Sequence, residues 1–210
     1  IEVFMNEVKV GRIALTPDFL CAFEYDPGYL RTGNSISPFN LPLKSEVFIA
    51  KRTPFNGGFG VFDDSLPDGW GNLILDRYLS SKGTDPVTLT ILQRLALVGS
   101  TGRGALAYRP DYSDSTTDDI INFDRLAADA EKILTTDYDG GSLDTSYKCG
   151  GSPGGARPKA FVKIDGKEWW VKFKETINPA NIGRLEYEYS LLDKKSGINM
   201  PERQLLEGKC

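Results

Sequence analysis

The stretch KAFVKIDGKEWWVKFKE, residues 159–175, decides how the second part of this chain folds. Two alternating runs meet at Asp165-Gly166, a dipeptide that favours the two-residue turn of a β-hairpin. The alternation puts Trp170 and Lys172 on one face and Trp169, Val171 and Phe173 on the other. Ahead of the hairpin, GGSPGGARPK (150–159) packs four glycines and two prolines into ten residues. Behind it, NIGRLEYEYSLLDKKSG (181–197) reads as a helix ending at Gly197, and RQLLEG (203–208) as the start of another strand. The predicted order is therefore glycine-rich loop, strand, tight turn, strand, helix, strand.

Upstream, IEVFMNEVKVGRIAL (1–15) alternates around a turn at Asn6-Glu7, and FLCAFEYDPGYL (19–30) gives a strand ended by Asp26-Pro27-Gly28. LPLKSEVFIAKR (41–52) adds at least one more strand. PFNGGFGVFDDSLPDGW (54–70) is glycine-rich, aromatic and irregular. GNLILDRYLSSKG (71–83) is a helix with Gly83 near its end, and VTLTILQRLALVG (87–99) fits a helix or a strand. RGALAYRP (103–110) is a short strand. Polar residues 111–121 form a loop, and NFDRLAADAEKIL (122–134) is an amphipathic helix capped by Asn122, with Phe123, Leu126, Ala130, Ile133 and Leu134 along one side. TTDYDGGSLDTSYKCGG (135–151) reads as a linker and marks the domain boundary. The expected division is a β-rich subdomain over 1–110, a helix and linker over 111–148, and a second unit over 149–210.

At 210 residues the chain suits one large domain or two small ones. Its net charge of −4 gives no basic footprint for direct nucleic-acid binding. Cys21, Cys149 and Cys210 are odd in number and far apart, which fits a reducing cytosol better than a disulfide framework. The chain has no histidine, so Ser-His and Cys-His nucleophiles and the usual zinc sites are excluded. No apolar run approaches a bilayer span and the start is no signal peptide, so the expectation is a soluble cytoplasmic protein.

In the glycine-rich loop, Gly154 and Gly155 let the backbone approach a ligand closely and turn successive N–H groups toward an anion, with Arg157 and Lys159 adding charge. Taken alone, such a stretch is a linker tip. It is neither G-x-x-x-x-G-K-[ST] nor G-x-G-x-x-G. Lys172 changes the weighing: a lysine on the second strand of a hairpin, after a glycine-rich loop and before a helix with Glu186 and Glu188, is the arrangement by which a protein kinase holds ATP phosphates. Asp63, Asp64 and Asp68 in DDSLPDGWG are read as part of a turn into a helix, with Asp68 as cap and Trp70 as packing anchor, rather than as an acid or metal site.

These residues resemble the HipA-type toxin serine/threonine kinases. GGSPGGARPK, WWVKF (169–173) and LEYEYSLLDKKSGINMP (185–201) look like the start of that family's kinase domain. FEYDPGYL (23–30), SPFNLPL (37–43), GGFGVFDDSLPDGWGNLILDR (57–77) and ALVGSTGRGALAYRP (96–110) look like its N-terminal subdomain, in order and spacing. The resemblance spans nearly all of the chain, and DSLPDGWG and GRGALAYRP are its most specific parts.

The resemblance implies an α+β chain: a β-rich N-terminal subdomain with helices, then a partial protein-kinase-like N-lobe. It implies a parent enzyme that binds ATP with Mg²⁺ and phosphorylates a serine of a protein substrate, an aminoacyl-tRNA synthetase in studied members. The implied partner is a DNA-binding antitoxin, through which operator DNA is contacted only indirectly; no membrane is involved. By position, Ser152, Gly154, Gly155, Ala156, Arg157 and Lys159 belong to the phosphate-binding loop, and Ser152 matches the family's autophosphorylated serine. Lys172 matches the ATP-binding strand lysine, and Glu186 its helix partner, with Glu188 as the alternative.

After Lys172 the carboxylates are Glu175, Glu186, Glu188, Asp193, Glu202 and Glu207, none in an H-R-D or D-F-G context. The expectation is a fragment lacking the C-lobe, its catalytic loop and its metal-binding aspartate, and inactive alone. The alternative is a non-catalytic module that docks an antitoxin or another protein. A small-molecule phosphotransferase of kinase-like fold is disfavoured by the N-terminal matches.

Overall fold

The computed structural model describes residues 1–114, 122–135, 140–150, 155–164, 166–175 and 177–208. It is an α+β fold. The first part is built on a five-stranded sheet of order β4-β3-β2-β1-β5, formed by β1 (Glu2–Met5), β2 (Val8–Leu15), β3 (Cys21–Tyr25), β4 (Val47–Ile49) and β5 (Leu106–Arg109). All of its pairings are antiparallel. Asn6 and Glu7 form the β1–β2 turn with φ of 49° and 62°, the left-handed pair that matches the twist of a hairpin. Alternation along β3 buries Cys21, Phe23 and Tyr25. These pack with Val3, Val10, Ile13, Phe62, Leu95 and Tyr108 as the main core.

Between β4 and β5 lie α1 (Gly60–Asp63), α2 (Gly69–Ser81) and α3 (Ile91–Val98). Within the ambiguous stretch 87–99, residues 91–98 resolve as a helix, opened by the reciprocal capping box of Thr90 and Gln93. Arg94 ties α3 to α2 by donating to Asn72 Oδ1 and Asp76 Oδ1, each at 3.0 Å.

Beyond β5, α4 (Phe123–Thr135) begins where Asn122 Oδ1 accepts from the Arg125 N–H at 3.0 Å. Next comes a correction: residues 140–150 form a helix, α5 (Gly140–Gly150), where a linker is expected. It is held by tertiary contact. Leu143 is fully buried with Trp70, Ile74, Ala130 and Ile133, Tyr147 stacks on Tyr78 at 4.3 Å, and Lys82 pairs with Asp144 at 3.1 Å. The α2 helix of the first part therefore shares one core with α4 and α5.

The hairpin follows as β6 (Lys159–Ile164) and β7 (Lys167–Lys172), with Ile164 opposite Lys167 across a two-residue turn. Asp165 lies outside the described residues. Gly166 takes φ +78°, the conformation that glycine allows without steric cost. Ala160, Val162, Trp169, Val171 and Phe173 face Leu126 and Cys149 of α4 and α5. The last helix is α6 (Ile182–Lys195), which buries none of its residues. A second correction falls here: residues 203–208 form no strand, and the β6–β7 sheet has two strands only among the described residues.

Candidate functional site

The register of the hairpin assembles the site. Lys159 lies directly opposite Lys172, and Phe161 opposite Trp170, so all four share the face turned away from α4 and α5. Phe161 and Trp170 make an edge-to-face contact at 5.4 Å, and the Arg103 guanidinium lies over the Phe161 ring. Two lysines directly opposite on one face repel each other unless an anion is supplied.

Helix α6 supplies one internally. Glu186 Oε2 accepts from Lys172 Nζ at 3.3 Å, while its Oε1 pairs with the Arg157 guanidinium. Arg157 also donates from Nε to the Phe173 carbonyl at 2.8 Å, and the Phe173 N–H donates to the Pro158 carbonyl at 2.9 Å. Arg157 therefore ties the end of β7 to α6. Among the described residues, Glu186 and not Glu188 pairs with Lys172. Two positions along a helix turn a side chain by about 200°, which puts Glu188 on another face.

Arg157 and Lys172 thus converge on a single helix carboxylate, and Lys159 stands opposite Lys172 on the same hairpin face. Burial lowers the Lys159 ammonium below its ordinary value; Lys172 and Arg157 add to that, and Asp68 and Glu175 oppose it. Such a cluster presents cationic donors to an anion with several oxygens. Of the other loop positions, Gly155 takes φ +93° and Ala156 is exposed. Ser152 and Gly154 lie outside the described residues.

The segment DDSLPDGWG predicts a turn, a cap at Asp68 and an anchor at Trp70. Trp70 is an anchor, only 2% exposed. Asp68 is a correction: it stands at the N-cap of α2 but its side chain makes no capping bond. Instead, Asp68 Oδ1 accepts from the Gly155 N–H at 2.8 Å. The Trp70 N–H donates to the Gly155 carbonyl at 3.1 Å, and its indole Nε1 to the Lys159 carbonyl at 3.0 Å. These contacts span 85 to 89 positions of sequence, and no local signal announces them.

Among the described residues no group of three or more Asp, Glu or Cys side chains could hold a metal ion. The three cations gathered at the hairpin suit a phosphate group, and the described residues bring together no carboxylate set for Mg²⁺. No helix among the described residues is long and apolar enough to cross a membrane.

A family model described as the HipA N-terminal domain matches residues 1–109. No curated protein gives a match. The matched region covers just over half of the chain and includes the five-stranded sheet, α1 to α3 and the Asp68–Trp70 segment that grips Gly155; the chain belongs to the HipA family.

Proposed function

We propose that this chain carries the phosphate-holding part of a HipA-type serine/threonine protein kinase, with residues 149–210 as the beginning of its N-lobe. The observation that carries the reading is the pairing of Glu186, from the helix after the hairpin, with Lys172 of β7 and with Arg157 of the preceding loop, beside Lys159 opposite Lys172. When bound, ATP supplies the phosphoryl group. Lys159 and Lys172 would hold its phosphate oxygens, and Glu186 would fix the Lys172 ammonium in direction. Arg157 would keep α6 against the end of β7. Phosphate transfer to Ser152 and to a protein serine, the Mg²⁺ requirement, an antitoxin partner and a cytoplasmic setting complete the proposal.

The test is mass spectrometry of the protein, expressed from its whole gene, after incubation with Mg-ATP. Phosphate on Ser152 in the wild type and its loss in Lys172→Ala are expected. Ser152 phosphorylation that is unchanged in Lys172→Ala would overturn the assignment.

A second reading, a non-catalytic docking module, is favoured by α6, which exposes Leu185, Tyr189, Leu191 and Leu192. Its signature is an unphosphorylated protein that binds an antitoxin equally well with and without Lys172.

A further inference from the structure

The grip of residues 68–70 on Gly155 has a role of its own. We propose that Asp68, Gly69 and Trp70 are positioning residues for the phosphate loop, contributed by the HipA N-terminal domain. This rests on the phosphate-loop reading above.

Three observations point the same way. Asp68 has the extended backbone of an N-cap, φ −114° and ψ 176°, yet its side chain bonds no N–H of its own helix; it has given up the local bond for the Gly155 N–H at 2.8 Å. Gly69, at φ +37°, approaches so closely that a Cβ there would lie 2.7 Å from the Gly155 carbonyl carbon and oxygen. Trp70 then holds the carbonyl side, with its N–H on Gly155 O at 3.1 Å and its indole Nε1 on Lys159 O at 3.0 Å. Three consecutive residues therefore fix the chain path at both ends of 155–159.

The segment is itself anchored. The Tyr108 hydroxyl, on a fully buried ring of β5, donates to Ser65 Oγ at 2.6 Å. A continuous path thus runs from the five-stranded sheet through residues 65–70 to Gly155 and Lys159.

A carboxylate on a loop N–H could instead be a competitor, occupying a donor that a phosphate would take. The carbonyl side argues for positioning. Gly155 O accepts from both the Trp70 N–H and Lys159 Nζ, the latter at 3.4 Å, and a carbonyl is no site for an anion. What the segment recognises is the loop's backbone on both sides.

The test compares wild type, Asp68→Ala, Asp68→Asn and Trp70→Phe in the protein expressed from its whole gene. Amide hydrogen exchange at Gly155 is read without nucleotide, Mg-ATP affinity by titration, and the fold by thermal melting. Asp68→Ala is expected to speed exchange at Gly155 and weaken Mg-ATP binding about tenfold, because it removes a charge-assisted hydrogen bond. Asp68→Asn, which still presents Oδ1, is expected to recover most of both, a rescue that loss of fold would not allow. Trp70→Phe keeps an aromatic side chain but removes the donor to Lys159 O. Because Trp70 is buried in the core, this variant is expected to lower the melting temperature as well as weaken Mg-ATP binding, so its affinity is read at a temperature where the melt shows it folded. Unchanged exchange and affinity in Asp68→Ala would overturn this proposal alone. Tighter Mg-ATP binding in that variant would overturn it in favour of competition by the carboxylate. A wild-type protein that binds no Mg-ATP would overturn the phosphate-loop reading together with it.

Discussion

Lys172 and Glu186 meet at 3.3 Å, and the same carboxylate also holds Arg157. One glutamate thus neutralises two cations, one from β7 and one from the loop that precedes β6. Its side chain is 42% exposed, and ion pairs in such settings contribute only about 0.2–1 kcal/mol to stability. Glu186→Gln is therefore expected to leave the melting temperature nearly unchanged. By releasing the Lys172 ammonium from its fixed direction it should slow Ser152 phosphorylation about tenfold or more, whereas Glu188→Gln should stay within about twofold of wild type. Equal rates for the two variants would remove Glu186 from the site.

Lys159 gives a pH dependence of known sign. Its folded-state value lies below the ordinary 10.5, chiefly through burial and with help from Lys172 and Arg157. The unfolded chain therefore holds this proton more tightly than the folded protein does. Where the unfolded state binds more protons, stability rises with pH, here as pH climbs from the lowered folded value toward 10.5. Urea unfolding between about pH 8 and about pH 10 should show this component in wild type and not in Lys159→Met. Parallel stability curves would show that the ammonium is not held down.

The hairpin is legible in the sequence because its signals are local, period-two alternation and a turn dipeptide; that Lys159 stands opposite Lys172 is added by the structure. The grip on Gly155 is not legible there, because Asp68 carries the ordinary mark of a helix cap and its true partner lies 87 positions away. Helix α5 is hidden in the sequence for a different reason. GGSLDTSYKCG opens on two glycines and includes serine, aspartate and threonine, poor intrinsic helix formers. Only burial of Leu143 and Cys149 and the Tyr78–Tyr147 stack make it one, a case of tertiary packing overriding propensity. For RQLLEG the failure runs the other way: the side chains permit a strand, but no ladder partner stands beside it among the described residues.

Leu143 tests that account of α5. In a linker its truncation would cost almost nothing. Fully buried among Trp70, Ile74, Ala130 and Ile133, it should cost about 2–5 kcal/mol as Leu143→Ala, since removing a core leucine loses transfer energy and leaves a cavity. Equilibrium unfolding reads the difference, and a loss below about 0.5 kcal/mol would return the segment to a surface connection.

Gly69 tests the approach of the two parts of the chain without touching any charged group. At φ +37° a Cβ is strained, and at 2.7 Å it would collide with the Gly155 carbonyl, which is backbone and cannot rotate aside. Gly104 is the matched control: its φ lies outside the left-handed region, and a Cβ there would meet nothing within 4 Å. Gly69→Ala should therefore destabilise the protein by about 1–3 kcal/mol, while Gly104→Ala stays within about 0.5 kcal/mol of wild type. The collision also has a direction. If the strain is relieved by pushing the loop away from residues 68–70, amide exchange at Gly155 should accelerate in Gly69→Ala while exchange in β2 and β3 keeps its wild-type rate, because sub-global opening leaves the rest of the fold protected. Uniform acceleration across the five-stranded sheet would instead mean that residue 69 serves the core rather than the loop.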